Sequence, residues 1–180
     1  DRSQDRTSDK EVFGAKIIPS RGAWLEFEID KRDVLGVRVD RKRKQSAIVF
    51  LMAIGMTKDE IADAFRDYPL VMDALAKETV QTQDEALTDL YRKIRPADPP
   101  TPEAGRNLLD SFYFNTKRYD LARVGRYKIN RKLGLEKDIN DRSLSREDII
   151  STIKYLVTLH AGDTKFPGKR DGQDVDLRVD

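Results

Sequence analysis

Hydrophobic and polar residues alternate with a period of two along the first part of the chain. The pattern is present in Phe13–Ile18, Trp24–Asp30 and Val34–Lys44, and turn-forming residues separate these segments. Such alternation is typical of strands that have one buried face and one solvated face. It predicts an antiparallel meander of about three strands. The polar residues 1–12 predict a flexible N-terminal end.

Within the second strand, the alternation assigns each side chain to a face of the sheet. The predicted core face carries three apolar residues, Leu25, Phe27 and Ile29. Trp24, the only tryptophan, shares the open face with three acids, Glu26, Glu28 and Asp30. A core tryptophan with its indole N–H hydrogen-bonded is the ordinary alternative. The alternation weakens that alternative and indicates a ring on the solvated face.

After Gln45 the hydrophobic period changes from 2 to 3.6, which indicates helices. Capping signals at Thr57 and Thr82, and Thr-Pro at Thr101, mark helix starts. The predicted helices are 46–54, 57–66, 69–77, 82–94, 101–113, 119–133 and 145–160. The fold class is therefore α+β, a small antiparallel meander packed with about seven helices. We expect the folded domain to span 13–162 and a loose C-terminal tail to span 163–180.

Composition excludes several kinds of site. Charged residues make up 37% of the 180-residue chain, and no apolar run approaches the roughly 20 residues that span a bilayer. There is no cysteine, so disulfides, thiolate zinc sites and cysteine nucleophiles are excluded, and with only one histidine a Ser/His nucleophile is hard to build. His160 ends the apolar stripe of the last predicted helix, where a capping or packing role is the favoured interpretation.

Charge is unevenly distributed along the chain. Residues 57–89 contain three basic and nine acidic residues, whereas 117–132 contain seven basic and one acidic. This segregation suggests that one face meets an anion and another meets water or a protein. The acids of 57–89 fall mostly on polar helix faces, so a solvated surface is favoured over acid/base chemistry.

Two basic segments are candidates for nucleic-acid contact. For the first, with Arg38, Arg41, Lys42, Arg43 and Lys44, phosphate contact and a charged edge strand explain the pattern equally well. The second is a helix in which Arg123, Arg126 and Asn130 lie together, opposite a buried face of Ala122, Gly125, Ile129 and Leu133. Arg118 and Tyr119 precede this helix, and contact with a nucleic-acid backbone is favoured here. Near such cations, Trp24 could stack on an unpaired base, worth about 1–3 kcal/mol.

Several stretches resemble the lobe of the bacterial RNA polymerase β subunit. They are Ile17–Glu28, Val37–Lys44, Asp84–Leu87, Tyr91–Pro96, Pro99–Thr101 and, most specifically, Lys117–Asn130. The resemblance covers roughly 13–162. It is closest to actinobacterial sequences, because no long insert separates Phe65 from Asp84. We therefore expect the chain to be part of a longer subunit that continues past Asp180.

This resemblance implies a non-catalytic domain of a DNA-directed RNA polymerase, a nucleotidyltransferase that works with α, β′ and ω subunits and a σ factor. It implies contacts with promoter DNA, through the non-template strand and the downstream duplex, at Trp24, Arg95 and Arg118, with Arg41 in the same basic neighbourhood. The basic helix adds Arg123 to these predicted DNA-binding residues. Catalytic Mg²⁺ would be held by another subunit, so no cofactor is expected in this chain. A cytoplasmic, nucleoid-associated location without membrane contact is also implied. The alternative is a docking module whose acidic helices bind transcription regulators; an independent enzyme is poorly supported.

Overall fold

A five-stranded antiparallel sheet forms one layer of the fold in the computed structural model, which describes residues 2–4 and 11–161. The strands lie side by side in chain order: β1 (Arg2–Gln4), β2 (Glu11–Ile17), β3 (Leu25–Ile29), β4 (Leu35–Val39) and β5 (Gln45–Ser46). Each strand therefore pairs with the next one along the chain. The predicted antiparallel meander is confirmed, with two short outer strands in addition to the three that were expected.

The alternation in β3 correctly identified the core face. Leu25, Phe27 and Ile29 are buried, and they lie opposite Val39, Val37 and Leu35 of β4. Strand β1 was not predicted because its three residues are all polar. Within the N-terminal segment 1–12, residues 2–4 and 11–12 take part in the pairing of β1 with β2. Residues 1 and 5–10, and the predicted tail at 163–180, lie outside the described residues.

Seven α-helices follow the sheet within the described part of the chain. They are α1 (Ala47–Ala53), α2 (Lys58–Ala64), α3 (Pro69–Lys77), α4 (Gln83–Ile94), α5 (Pro102–Leu109), α6 (Ala122–Leu133) and α7 (Arg146–His160). Thr57, Thr82 and Thr101 each accept a hydrogen bond from a backbone N–H of the first helical turn, as the capping signals predicted. None of these helices is long and apolar enough to cross a membrane.

Two helix boundaries differ from the prediction. Helix α5 ends at Leu109 and continues as a π-helical turn, Asp110–Phe114. Helix α6 begins at Ala122 rather than near 119, because Asp120 forms a backbone bridge with Arg21. The two hydrogen bonds of this bridge, Arg21 N to Asp120 O and Asp120 N to Arg21 O, measure 3.1 and 2.8 Å. Pairing of this kind needs extended backbone, so the helix cannot start earlier.

Aromatic rings link the sheet to the segment between α5 and α6. Phe50 of α1 packs edge-to-face on Phe27 and on Tyr113, with ring centroids 6.1 and 6.4 Å apart. Tyr113 packs in the same way on Tyr119 at 5.9 Å. Edge-to-face contacts of buried rings favour one relative orientation. The core therefore fixes the segment around Tyr119 against the strands that flank Trp24.

Candidate nucleic-acid interface

Trp24 lies immediately before β3, and two hydrogen bonds anchor its backbone carbonyl. The carbonyl oxygen accepts from the Asp40 N–H at 3.0 Å and from the Tyr113 hydroxyl at 2.8 Å. Tyr113 is fully buried, and this burial raises the pKa of its hydroxyl well above the ordinary value, so it remains a donor. The Trp24 side chain is half-buried and follows the open-face alternation. The fold thus holds Trp24 rigidly at the sheet surface.

A tight turn after β4 places Arg41 over the Trp24 ring. Asp40 and Arg41 have φ angles of 53° and 59°, and Lys42 N–H donates to the Val39 carbonyl at 3.1 Å. Positive φ at both central residues corresponds to a type I′ turn, whose twist suits a β-hairpin. The guanidinium carbon of Arg41 lies 4.4 Å from the ring centroid of Trp24, within range for a cation–π interaction. Arg41 and Trp24 are therefore in direct contact at the surface of the sheet.

The remaining cations of this basic segment divide into two groups. Arg38 pairs with Glu28 at 3.5 Å, and Lys44 pairs with Glu28 at 3.7 Å and with Asp30 at 3.0 Å. Lys42 and Arg43 are exposed, and no ion pair with another described residue is recorded for them. The charged-strand interpretation therefore fits Arg38 and Lys44, while Arg41, Lys42 and Arg43 remain available to a polyanion.

Asp30 shows how the acids of the open face are held. Partial burial raises its pKa, but hydrogen bonds from the Val34 N–H, the Lys44 ammonium and the Arg32 N–H outweigh burial and lower the pKa below the usual value. The Lys44 Nζ to Asp30 Oδ2 distance is 3.0 Å. Asp30 is therefore a structural anion that neutralises Lys44, and it does not act as an acid or base.

Arg118 is brought close to Trp24 by the bridge between Arg21 and Asp120. Gly22, with a φ of +125°, packs so tightly there that an added Cβ would lie 2.7 Å from the Tyr119 ring and 3.2 Å from the Arg118 carbonyl. Glycine is required at this contact both by the positive φ and by the close approach. The exposed Arg118 side chain therefore projects from backbone that touches the turn before Trp24.

The expectation for Arg126 is wrong. Its side chain is fully buried, and its guanidinium binds both carboxylate oxygens of Asp148 and the carbonyls of Asp141 and Ser143. Asn130 also turns inward, donating from Nδ2 to the Lys137 carbonyl at 2.8 Å. Of the predicted trio on α6, only Arg123 is exposed. The prediction placed Arg126 opposite the buried face, but at 3.6 residues per turn it lies beside Leu133 at the edge of that face. The buried carboxylate of Asp148 binds it there.

Arg95 is exposed at the C-terminal end of α4, where its backbone N–H donates to the Tyr91 carbonyl at 2.8 Å. The structure places Arg41 against Trp24 and brings the backbone of Arg118 against the turn that precedes Trp24.

The residues that could have supported an active site have structural roles. His160 contacts Asp33 at 3.1 Å and packs edge-to-face on Phe13 at 5.3 Å, so the packing interpretation is confirmed. Several acids of α2–α4 take part in ion pairs, such as Asp63 with Arg66 and Asp89 with Lys93. Among the described residues, no group of three or more His, Asp or Glu side chains is arranged to hold a metal ion.

Comparison with known proteins identifies the family. A sequence profile described as RNA polymerase Rpb2, domain 2, matches residues 2–167. The chain belongs to this family. As an Rpb2 domain 2, it is 97% identical over 180 residues to the DNA-directed RNA polymerase subunit beta of Bifidobacterium adolescentis. It is 84% identical to the protein of that name in Bifidobacterium longum subsp. infantis and 58% identical to that in Clavibacter michiganensis.

These matches cover all of this chain but only 15% or 16% of each relative. This Rpb2 domain 2 therefore spans about one seventh of the length of the curated relatives it matches. The resemblance to the actinobacterial β-subunit lobe is confirmed.

Two residues that hold the interface were not identified from the sequence as part of it. Tyr113 bonds the Trp24 carbonyl across 89 positions of the chain, and nothing local signals such a contact. Asp148 caps α7 by accepting from the Ser145 N–H at 2.9 Å. Its second role as the partner of Arg126 could have been suspected from one signal, an arginine adjacent to Gly125 on a helix that buries that glycine.

Proposed function

We propose that this domain is the lobe of a DNA-directed RNA polymerase β subunit and contacts DNA through Trp24, Arg41 and Arg118. One observation carries the proposal: a half-exposed tryptophan lies under an arginine at the sheet surface, next to other exposed cations. An aromatic ring and guanidinium groups are the combination that binds unpaired bases and their phosphates. The target is the non-template strand of the promoter bubble.

The geometry suits an unpaired base better than a duplex. The base faces of a duplex are already stacked, whereas an unpaired base can stack on a ring, which contributes about 1–3 kcal/mol. Arg41 covers one part of the Trp24 surface and adds positive charge where a phosphate would follow the base. Two hydrogen bonds to the Trp24 carbonyl hold its backbone in place before DNA arrives, and the Arg41 guanidinium packs on its ring, which lowers the entropy lost on binding.

In the complete enzyme this contact would stabilise the opened promoter during initiation and guide downstream DNA during elongation. Arg123 and Arg95 would add further phosphate contacts. The α, β′ and ω subunits and a σ factor would be the protein partners. Phosphoryl transfer would use Mg²⁺ held by the β′ subunit, so this domain positions DNA and takes no part in the chemical step.

Replacing Trp24 in the complete polymerase tests the proposal. Trp24→Ala should shorten the open-complex lifetime by roughly 5- to 150-fold, the equivalent of one lost stacking contact. Trp24→Phe is the matched control, because it keeps a ring and should retain part of the lifetime. The measurement is dissociation of preformed open complexes at fixed salt after addition of a competitor. An unchanged lifetime for Trp24→Ala would refute stacking.

A docking role for the side of the domain that carries α3 has separate support. A cleft of about 690 Å³ lies between the turn before β4, helix α3 and the end of α7. Its lining includes exposed Val34 and the half-buried Leu70 and Ala74 of α3, with Asp73 and Lys77 beside them. If Asp73→Lys abolished the effect of a bound regulator while Trp24→Ala left open complexes intact, docking would be the better account.

A further inference from the structure

The outward face of α6 is an exposed surface of mixed aromatic and basic character. Val124 is 57% exposed and Tyr127 is 54% exposed, and they are two of the three large apolar side chains so exposed in the described part of the chain. Arg123 and Arg131 are exposed on either side of Tyr127, each four residues away. Residues four apart lie on one face of a helix, about 6 Å apart along its axis. We call these four residues the α6 face.

The opposite side of α6 fixes the direction of the α6 face. Gly125, Ile129 and Leu133 are in the core, and the buried Arg126 binds Asp148 of α7. These contacts prevent rotation of the helix about its axis. Exposure of the α6 face is therefore a fixed property of the fold, and it does not come from one loose side chain.

The charges on the α6 face have no partners on it. The segment from 121 to 135 contains no acid, and no ion pair with another described residue is recorded for Arg123 or Arg131. An ordinary surface helix places acids and bases four residues apart, as Asp89 and Lys93 do on α4. Two exposed guanidinium groups with no acid between them give this face a positive potential, which favours an anion lying along the helix.

The α6 face begins beside the turn that leads to Trp24. Helix α6 begins two residues after Asp120, whose backbone pairs with Arg21 in the turn that leads to Trp24. From Arg123 to Arg131 the helix then extends for about 12 Å. The exposed Arg118 lies at the junction. A strand held at Trp24 therefore has a basic path along α6.

We propose that the α6 face binds single-stranded DNA, with Tyr127 stacking on an unpaired base and Arg123 and Arg131 contacting phosphates on either side. The proposal rests on the proposed function and extends it to a second stacking residue. An exposed ring between guanidinium groups is the arrangement that holds single strands without sequence preference. A protein partner fits less well, because two apolar side chains are far fewer than the roughly 20 residues per side of a stable protein interface.

Photocrosslinking in the complete polymerase tests this assignment. p-Benzoylphenylalanine incorporated in place of Tyr127 should crosslink to a single-stranded DNA segment when the enzyme is bound to a promoter with a pre-opened bubble. The same amino acid in place of Ala76, which is exposed on α3, is the matched control and should give no DNA adduct. Crosslinks from position 127 only to a polypeptide, or only to duplex DNA, would overturn the proposal.

Substitution of Tyr127 separates this inference from the function on which it rests. Tyr127→Ala should shorten the open-complex lifetime by roughly 5- to 150-fold. Tyr127→Phe should leave the lifetime near the parent value, because phenylalanine preserves the stacking surface. Because Tyr127 is exposed, its substitution should leave the fold intact, and circular dichroism of the purified variants checks this. If Trp24→Ala shortened the lifetime and Tyr127→Ala did not, the α6 proposal would fail while the proposed function stood. If neither did, both would fail.

Discussion

The guanidinium of Arg126 and the carboxylate of Asp148 form a two-point ion pair in which neither side chain reaches solvent. The Nη1 to Oδ1 and Nη2 to Oδ2 distances are 2.6 and 2.9 Å. Carbonyl oxygens of Asp141 and Ser143 accept further hydrogen bonds from the same guanidinium. The pair joins α6 to α7 and to the loop between them, so it determines how the α6 face is presented.

Removing Arg126 should destabilise the fold strongly. Arg126→Met leaves Asp148 buried without its cation, and loss of one partner from a buried pair costs about 3–5 kcal/mol. The free energy of unfolding of the chain in urea measures this. Arg123→Met is the matched control, because Arg123 is exposed on the same helix and should change stability by no more than about 0.5 kcal/mol. Similar losses for the two variants would contradict the structural assignment of Arg126.

The contrast between Arg123 and Arg126 shows how far sequence reasoning extends. Hydrophobic periodicity predicted the seven helices and the core face of β3, because those patterns follow from local geometry. The same periodicity could not separate two arginines at neighbouring positions of a helical wheel. What separates them is Asp148, which is 22 residues away and is brought into the core only by the packing of α7 on α6.

The candidate site shows the same limit. The alternation placed Trp24 on the open face, and composition marked the basic segments, so both parts of the interface could be predicted. The contact between Arg41 and Trp24 could not be predicted. Arg41 reaches Trp24 only because a type I′ turn at Asp40 and Arg41 reverses the chain, and neither residue is the glycine that usually signals such a turn.

Arg41→Gly should weaken DNA contact without lowering the stability of the fold. The left-handed backbone of Arg41, with φ of 59°, costs about 1–2 kcal/mol for a residue other than glycine, and the cation–π contact returns about 0.5–1 kcal/mol. The unfolding free energy should therefore stay the same or rise slightly. The open complex of the complete polymerase should become shorter-lived, because a cation beside Trp24 is lost. Asp40→Gly, at the adjoining turn position with φ of 53°, keeps Arg41 and should leave the lifetime near that of the parent. A large loss of stability in Arg41→Gly would show that the contact outweighs the backbone strain.

Arg118→Ala should reduce the salt dependence of DNA binding. Each phosphate contact that is lost lowers the slope of log K against log salt by about 0.9 for duplex DNA and about 0.7 for a single strand. Titration of labelled bubble DNA with the complete polymerase at several salt concentrations gives this slope. Arg66→Ala is the control, because Arg66 is equally exposed but pairs with Asp63 on the acidic side of the domain. An unchanged slope for Arg118→Ala would remove Arg118 from the interface.

Two buried tyrosines should make the fold sensitive to alkali. Burial raises the pKa of Tyr113 and of Tyr119 above the ordinary value of 10.0. A raised pKa means that the unfolded chain releases these protons more readily than the folded chain does. The stability that the two neutral hydroxyls contribute is therefore fully present below about pH 10 and is lost progressively as the pH rises above it.

Unfolding in urea at pH 8 and at pH 10.5 measures that loss. Tyr119→Phe should reduce the loss of unfolding free energy between the two pH values. It should change stability little at pH 8, because the Tyr119 hydroxyl makes no hydrogen bond with another described residue. Tyr113→Phe should also reduce this pH-dependent loss. It should lower the unfolding free energy at pH 8 by about 1 kcal/mol, because the hydroxyl that donates to the Trp24 carbonyl is removed. Deprotonation of lysines lowers stability in parent and variants alike and cancels in the comparison. If both variants lost as much stability as the parent between the two pH values, the tyrosines would not be the source of alkaline sensitivity.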